Sequence, residues 1–181
     1  MYKSLSPQKK WIIKGIPILF IISACIHSLY KLTGENKILA AFFPMNESVW
    51  EHLKMILLPI ILWWSIYYLV NGKIYDINKR KWFTGALVSL IISLITVPLL
   101  YYFYTGVFGI ESVIIDIIIL FLAVLIGQLM GLYVYKRCKG INYKFCIIVF
   151  IILILLFVLF TYFPPELPIF LDSTTGKYGI N

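Results

Sequence analysis

The chain has 181 residues, of which 61% are hydrophobic and 13% charged. Soluble domains carry roughly a quarter of charged residues, so an ordinary soluble enzyme is excluded and one membrane domain over residues 1–181 is expected. The net charge of +8 sits between apolar runs, not on a basic-aromatic surface, which argues for membrane orientation and against a nucleic-acid partner.

The expected class is all-α: a polytopic transmembrane helix bundle of five spans. Each run reaches the ~20 residues that a helix needs to cross ~30 Å of hydrocarbon. The first span reads from Trp11 to Thr33, with Gly34 as its stop. Lys9 and Lys10 before an apolar run imitate a signal peptide, and Ile22-Ser23-Ala24-Cys25 imitates a lipoprotein processing box. Ile26, Leu29, Tyr30 and Leu32 keep the sequence apolar after Cys25, so an uncleaved first helix is expected. Ile38 to Phe43 is apolar but too short to cross, and reads as an interfacial or re-entrant segment between spans one and two.

The second span covers residues 47–70, with a kink expected at Pro59. The third covers 82–105, bent at Pro98; the fourth covers 112–135 and the fifth 145–163. Trp11, Trp82, Trp50 and the aromatic run Tyr101 to Tyr104 read as interfacial anchors, while Trp63 and Trp64 lie deeper. Gly127 and Gly131 form a Gly-x-x-x-Gly pattern that permits close helix packing, most simply within the bundle. Cys25, Cys138 and Cys146 match no zinc spacing and are expected as free thiols.

Orientation follows from the basic residues. Lys3, Lys9, Lys10 and Lys14 precede span one. Lys73, Lys79, Arg80 and Lys81 follow span two, and Lys136, Arg137, Lys139 and Lys144 follow span four. With five spans, these twelve of the 16 basic residues fall on one side, predicting N-terminus in, C-terminus out, in the cell membrane. All acids except Asp76 then map to the outer half.

The densest polar stretch is Pro44 to Lys54. Glu47, Glu51 and Lys54 follow helical spacing on one stripe, and Ser48, His52 and Met55 on the next. His27 lies near the outer end of span one and Asp116 one turn into span four. Ionisable groups near a bilayer boundary cost free energy unless paired or solvated, so their convergence would make a site. Two imidazoles with a carboxylate suit a divalent metal such as zinc, and the candidate ligands are His27, His52 and Glu51. Glu47, Glu51, His52 and Asp116 are the candidate catalytic groups. A structural account stands beside this. Ser48 and Glu51 form a capping-box pattern, Asn46 is also a good cap, and either glutamate can pair with Lys54.

The tail opens with Pro164-Pro165-Glu166-Leu167-Pro168, too rich in proline for a helix. Ile169-Phe170-Leu171 is expected to fold back on the outer face and bring Asp172 to the motif, against the alternative of a loose terminus. The motif Pro44 to Lys54, with its Pro-x-Asn-Glu-Ser-x-Trp-Glu-His core, and the tail around Pro164 to Gly179 resemble an uncharacterised family of small multi-pass bacterial membrane proteins. That resemblance implies the membrane class and a pairing of the two outer elements; it brings no activity and no site residues.

Three functions compete. A membrane-embedded hydrolase would use a metal to activate water against a lipid or small amphiphile, although no His-Glu-x-x-His signature is present. A transporter or proton-coupled carrier would want polar groups at mid-bilayer, where the spans hold almost none. A non-catalytic accessory or sensor protein is the third. Membrane lipids are the expected partners, and the sequence names no protein partner.

Overall fold

The computed structural model describes residues 5–179. Lys3, counted above with the basic N-terminal end, and residues 180–181 lie outside them. The described chain is helical, with one isolated antiparallel bridge between Leu171 and Tyr178. Five helices are long and apolar enough to cross a membrane: α1 (Pro7–His27), α3 (Val49–Asn71), α4 (Lys79–Phe108), α5 (Val113–Arg137) and α6 (Tyr143–Tyr162). The short α2 (Leu29–Leu32) follows α1.

Local chemistry sets most boundaries. Pro7 opens α1, where its missing N–H costs nothing. Ser48 caps α3, its Oγ accepting from Glu51 N at 3.3 Å. Asn78 and Asn142 cap α4 and α6 in the same way through Lys81 N and Lys144 N. Gly109 closes α4 in the left-handed region, at φ 63°. The first apolar run departs from a single helix to Thr33: α1 stops at His27, a break at Ser28 separates α2, and Gly34 turns the chain at φ 72°. The piece after it holds a single 3-10 turn, Leu39–Ala41, as its length requires.

Successive long helices run antiparallel. α3 lies at the centre, against α1, α4 and α6, and α5 packs on α1 and α4. Trp64, Ile56, Ile60, Leu90 and Val124 are fully buried at this centre. The glycine pattern works within the chain. A Cβ on Gly127 would fall 2.6 Å from Ser89 O, and one on Gly131 2.7 Å from Gly85 O, so these positions let α4 and α5 touch by their backbones. Ser89, Ser93 and Gln128 are all fully buried in this seam. Gln128 Nε2 donates to Ser89 Oγ at 2.9 Å, and Ser93 Oγ lies 2.9 Å from Ala123 O across it.

Trp82 and Trp11 both pack on α3, and Trp82 departs from the expected interfacial role. Trp82 is completely buried and donates from Nε1 to Trp64 O at 2.9 Å. Trp11 stacks on Trp63 at 4.0 Å and donates to Trp63 O at 3.2 Å. The indoles at this end of the bundle tie helices to α3 by satisfying its carbonyls.

Pro59 and Pro98 lie inside continuous helices and break neither. Proline has no N–H, so Pro59 leaves the carbonyl four residues before it, Met55 O, without its helical partner. Ser23 Oγ from α1 donates to that oxygen at 2.5 Å, and Ser23 is fully buried. In lipid such a carbonyl must be satisfied by protein, and here the repair fixes the height of α1 against α3. Ser23→Ala is expected to lower stability by about 1–3 kcal/mol, the cost of an orphaned buried acceptor. Urea unfolding in detergent of Ser23→Ala, Pro59→Ala and the double variant checks this: with Pro59→Ala restoring the N–H, the Ser23→Ala loss should shrink.

Candidate functional site

The site is built at the end of the bundle where α1 finishes and α3 starts. Ser23 fixes α1 one helical turn before His27, and Met55 lies one turn after His52 on α3. The same hydrogen bond therefore brings the two imidazoles level. Their ring centroids are 5.2 Å apart. Glu47, on the loop before α3, inserts its carboxylate between them. Glu47 Oε2 is 3.4 Å from His27 Nε2 and 3.3 Å from His52 Nε2. The three ligand atoms lie within 4.8 Å of one another. All three side chains are about one-third exposed, with His27 at 38%, Glu47 at 32% and His52 at 30%.

The tautomer of His52 is fixed locally. Its Nδ1 sits 2.8 Å from Ser48 O, a carbonyl that can only accept, so Nδ1 carries a hydrogen. Nε2 is then left to face Glu47, either with a second proton or with a lone pair ready for a metal. A backbone carbonyl on the far nitrogen is the usual outer support of a metal-ligating histidine. Without a metal, hydrogen bonds from His27 and His52 hold the Glu47 carboxyl well below the usual carboxylate range.

Glu51, expected beside the histidines, is elsewhere. It is turned into the bundle and is 2% exposed. Its Oε2 accepts from Lys54 Nζ at 2.6 Å and from Met45 N at 3.1 Å. Lys54 is 1% exposed and also donates to Ala40 O at 2.7 Å. The sequence spacing allowed either glutamate to pair with Lys54; burial selects Glu51, three residues away, because the pair satisfies the turn around Ala40 and the loop at Met45 together. The capping box is therefore half formed: Ser48 Oγ takes Glu51 N, but Ser48 N is held by Asn46 Oδ1 at 3.0 Å. Glu47, grouped from sequence with the catalytic candidates, takes the place among the imidazoles for which Glu51 was expected.

Asp116 is close but outside the ligand group. Its Oδ1 accepts from Tyr104 OH at 2.8 Å, and Tyr104 OH accepts from Ser112 N at 3.2 Å. Tyr104 was read from sequence only as part of an aromatic run; nothing in that run marked it as the partner of Asp116.

The tail is docked over the start of α3. Phe170 is buried between Trp50, at 4.8 Å, and Phe160, at 5.4 Å. Trp50 stacks on Phe157 at 4.2 Å, so it serves as the floor under the tail. Asp172 is 4% exposed. Burial pushes its carboxyl upward, but the hydroxyls of Thr175 and Thr174, the Thr174 N–H and the Glu47 N–H outweigh this and hold it low. Cys25, Cys138 and Cys146 are free thiols.

The Glu51–Lys54 pair supports the loop that carries Glu47. Lys54→Met leaves a buried carboxylate alone and should cost about 3–5 kcal/mol, whereas Glu51→Gln with Lys54→Met should recover much of it. Thermal unfolding of the single and double variants in detergent measures this coupling; equal losses in both would contradict it.

No curated protein and no solved structure matches the chain. A family model described as a family of unknown function, DUF6512, matches residues 1–180. The chain therefore belongs to this family, and its five long apolar helices fit a multi-pass membrane protein.

Proposed function

We propose that His27, Glu47 and His52 bind one divalent transition metal, zinc by ligand type, and that the protein is a metal-dependent membrane hydrolase. The observation that carries this is the spacing of the Glu47 carboxylate from the two imidazoles, in a trio whose ligand atoms all lie within 4.8 Å of one another. Tetrahedral zinc with bonds of ~2.0–2.1 Å separates its ligand atoms by about 3.3 Å. Glu47 Oε2 stands 3.3 and 3.4 Å from the two imidazole nitrogens. Three protein ligands would leave a fourth position for water, the arrangement of catalytic zinc sites. Such a metal supplies a hydroxide near neutral pH. Asp116, held by Tyr104, is the candidate base in this reading, and Glu51 is a structural residue.

The substrate is a lipid or small amphiphile of the membrane. Exposed apolar side chains flank Asp116 on α5, among them Val113, Ile114 and Ile117. Transport is the weaker reading, because Pro59 and Pro98 sit in unbroken helices and leave no discontinuous pair to line a path.

The site faces outward in this proposal. The excess of Lys and Arg in the loops at the opposite end supports a cytoplasmic N-terminus and a tail outside the cell membrane. In a Cys25→Ser background, a membrane-impermeant maleimide on intact cells should label Thr175→Cys and spare Cys138; the reverse pattern would invert the orientation.

Metal analysis of detergent-purified protein tests the site. Wild type should carry about one zinc per chain, and loss of any one of the three ligands by alanine substitution should weaken binding by 10-fold or more, as in other sites of this kind. A folded wild type that takes up no zinc, manganese or cobalt would sink the metal reading and leave a histidine–carboxylate ion pair. Metal uptake without hydrolysis of any lipid ester or phosphoester would retain the site and remove the hydrolase.

A further inference from the structure

Two loops far apart in sequence form one surface at the end of the bundle away from the histidines. The chain between α5 and α6 lies on the first turn of α4. A Cβ on Gly140, whose φ is 78°, would fall 2.6 Å from the Arg80 carbonyl carbon and 2.7 Å from Lys81 N. Ile141 N donates to Thr84 Oγ1 at 2.9 Å, and Thr84 Oγ1 donates to Arg80 O at 2.6 Å. Lys79 Nζ stands 5.4 Å from the centre of the Tyr143 ring, so the first turns of α4 and α6 meet as well.

The charge on this surface is one-sided. Lys79, Arg80 and Lys81 occupy the first turn of α4 and Lys144 the first turn of α6, and neither turn holds an acid. Lys136 and Arg137 end α5, and Lys139 lies in the loop beside Gly140. Asp76 is the one acid on these two loops, and the ion pairs among the described residues all lie at the other end. A helix N-terminus already carries partial positive charge, so cations there are unfavourable unless an anion joins them. The rule that puts Lys and Arg on one side of a membrane requires neither cations inside a first helical turn nor contact between the loops. Beyond the loops, exposed Phe145, Ile148 and Ile152 form an apolar stripe along α6. An anion with hydrocarbon attached matches both halves of this surface, whereas a soluble polyanion matches only one.

We propose that the two joined loops bind the phosphate of an anionic phospholipid, with its acyl chains lying along α6. The clip between Ile141 and Thr84 makes the site, by holding the cations of both loops around one headgroup. This site is independent of the metal reading and of which side of the membrane this end faces.

Native mass spectrometry of delipidated full-length protein in neutral detergent, titrated with phosphatidylglycerol or phosphatidylcholine, counts the bound lipid. Wild type should retain phosphatidylglycerol in preference. Arg80→Gln with Lys139→Gln, both exposed, should weaken phosphatidylglycerol binding about 10-fold or more, from the usual attraction of each cation to anionic headgroups, and leave phosphatidylcholine unchanged. Thr84→Val keeps every charge but removes the acceptor of Ile141 N, and should lower the preference several-fold. Lys31→Gln with Lys37→Gln, at the opposite end, should match wild type. Equal retention of the two lipids by wild type, or an undiminished preference in the Arg80 and Lys139 variant, would overturn the proposal. Folded Thr84→Val with full preference would leave diffuse charge in place of a built site and overturn it too. Inorganic phosphate that competes as well as the lipid would overturn the lipid assignment.

Discussion

One carbonyl organises this end of the bundle. Pro59 cannot donate to Met55 O, and hydrocarbon offers no water to replace the missing hydrogen bond. Ser23 supplies it from the neighbouring helix. A helix joined to another by a single buried hydroxyl can still slide or rotate unless that bond has a fixed register. This one does, because the acceptor exists only where the proline frees it. The register it sets puts His27 opposite His52, each about one turn from the bond.

A second constraint acts on the loop. The buried pair of Glu51 and Lys54 connects three separate pieces of chain: α3 itself, the 3-10 turn through Ala40 O, and the loop through Met45 N. Each charge would be expensive alone, and the surrounding hydrogen bonds are what make the pair tolerable. The result is a short loop gripped from the bundle side by Glu51, through Met45 N, and from the tail side by Gly179 O, through Asn46. Glu47 follows directly on these two residues. Two carboxylates four residues apart thus have different tasks. The one on the helix is buried and structural; the one on the loop is partly open and faces two imidazoles.

That division also explains why the charges sit where they do. The centres of the five helices rely on hydroxyls, indoles, one amide and glycine contacts, as in the seam of Ser89, Ser93, Gln128, Gly127 and Gly131. Most of the basic residues line the loops at one end, whereas both histidines and most of the acids collect at the other, where the ends of α1, α3, α5 and α6 provide both burial and access to water.

Sequence alone carries the helical class, five runs long and apolar enough to cross a membrane, the cap at Ser48, and the set of ionisable residues from which a site had to be drawn. These are local or one-dimensional properties: hydropathy over ~20 residues and hydrogen bonds within a turn. The folded-back tail was legible too, because a proline-stiffened apolar segment has little reason to stay in water. What the tertiary structure decided was which members of that set meet. Glu47 and Glu51 are equivalent by helical spacing, but only one of them is in the helix, and the other's place depends on a loop held by Glu51 through Met45 and by Gly179 through Asn46, 133 residues away. Trp82 likewise read as an interfacial anchor and is a buried donor, because its indole found a carbonyl on another helix. Such pairings are set by how helices pack, and no period within a single segment encodes them.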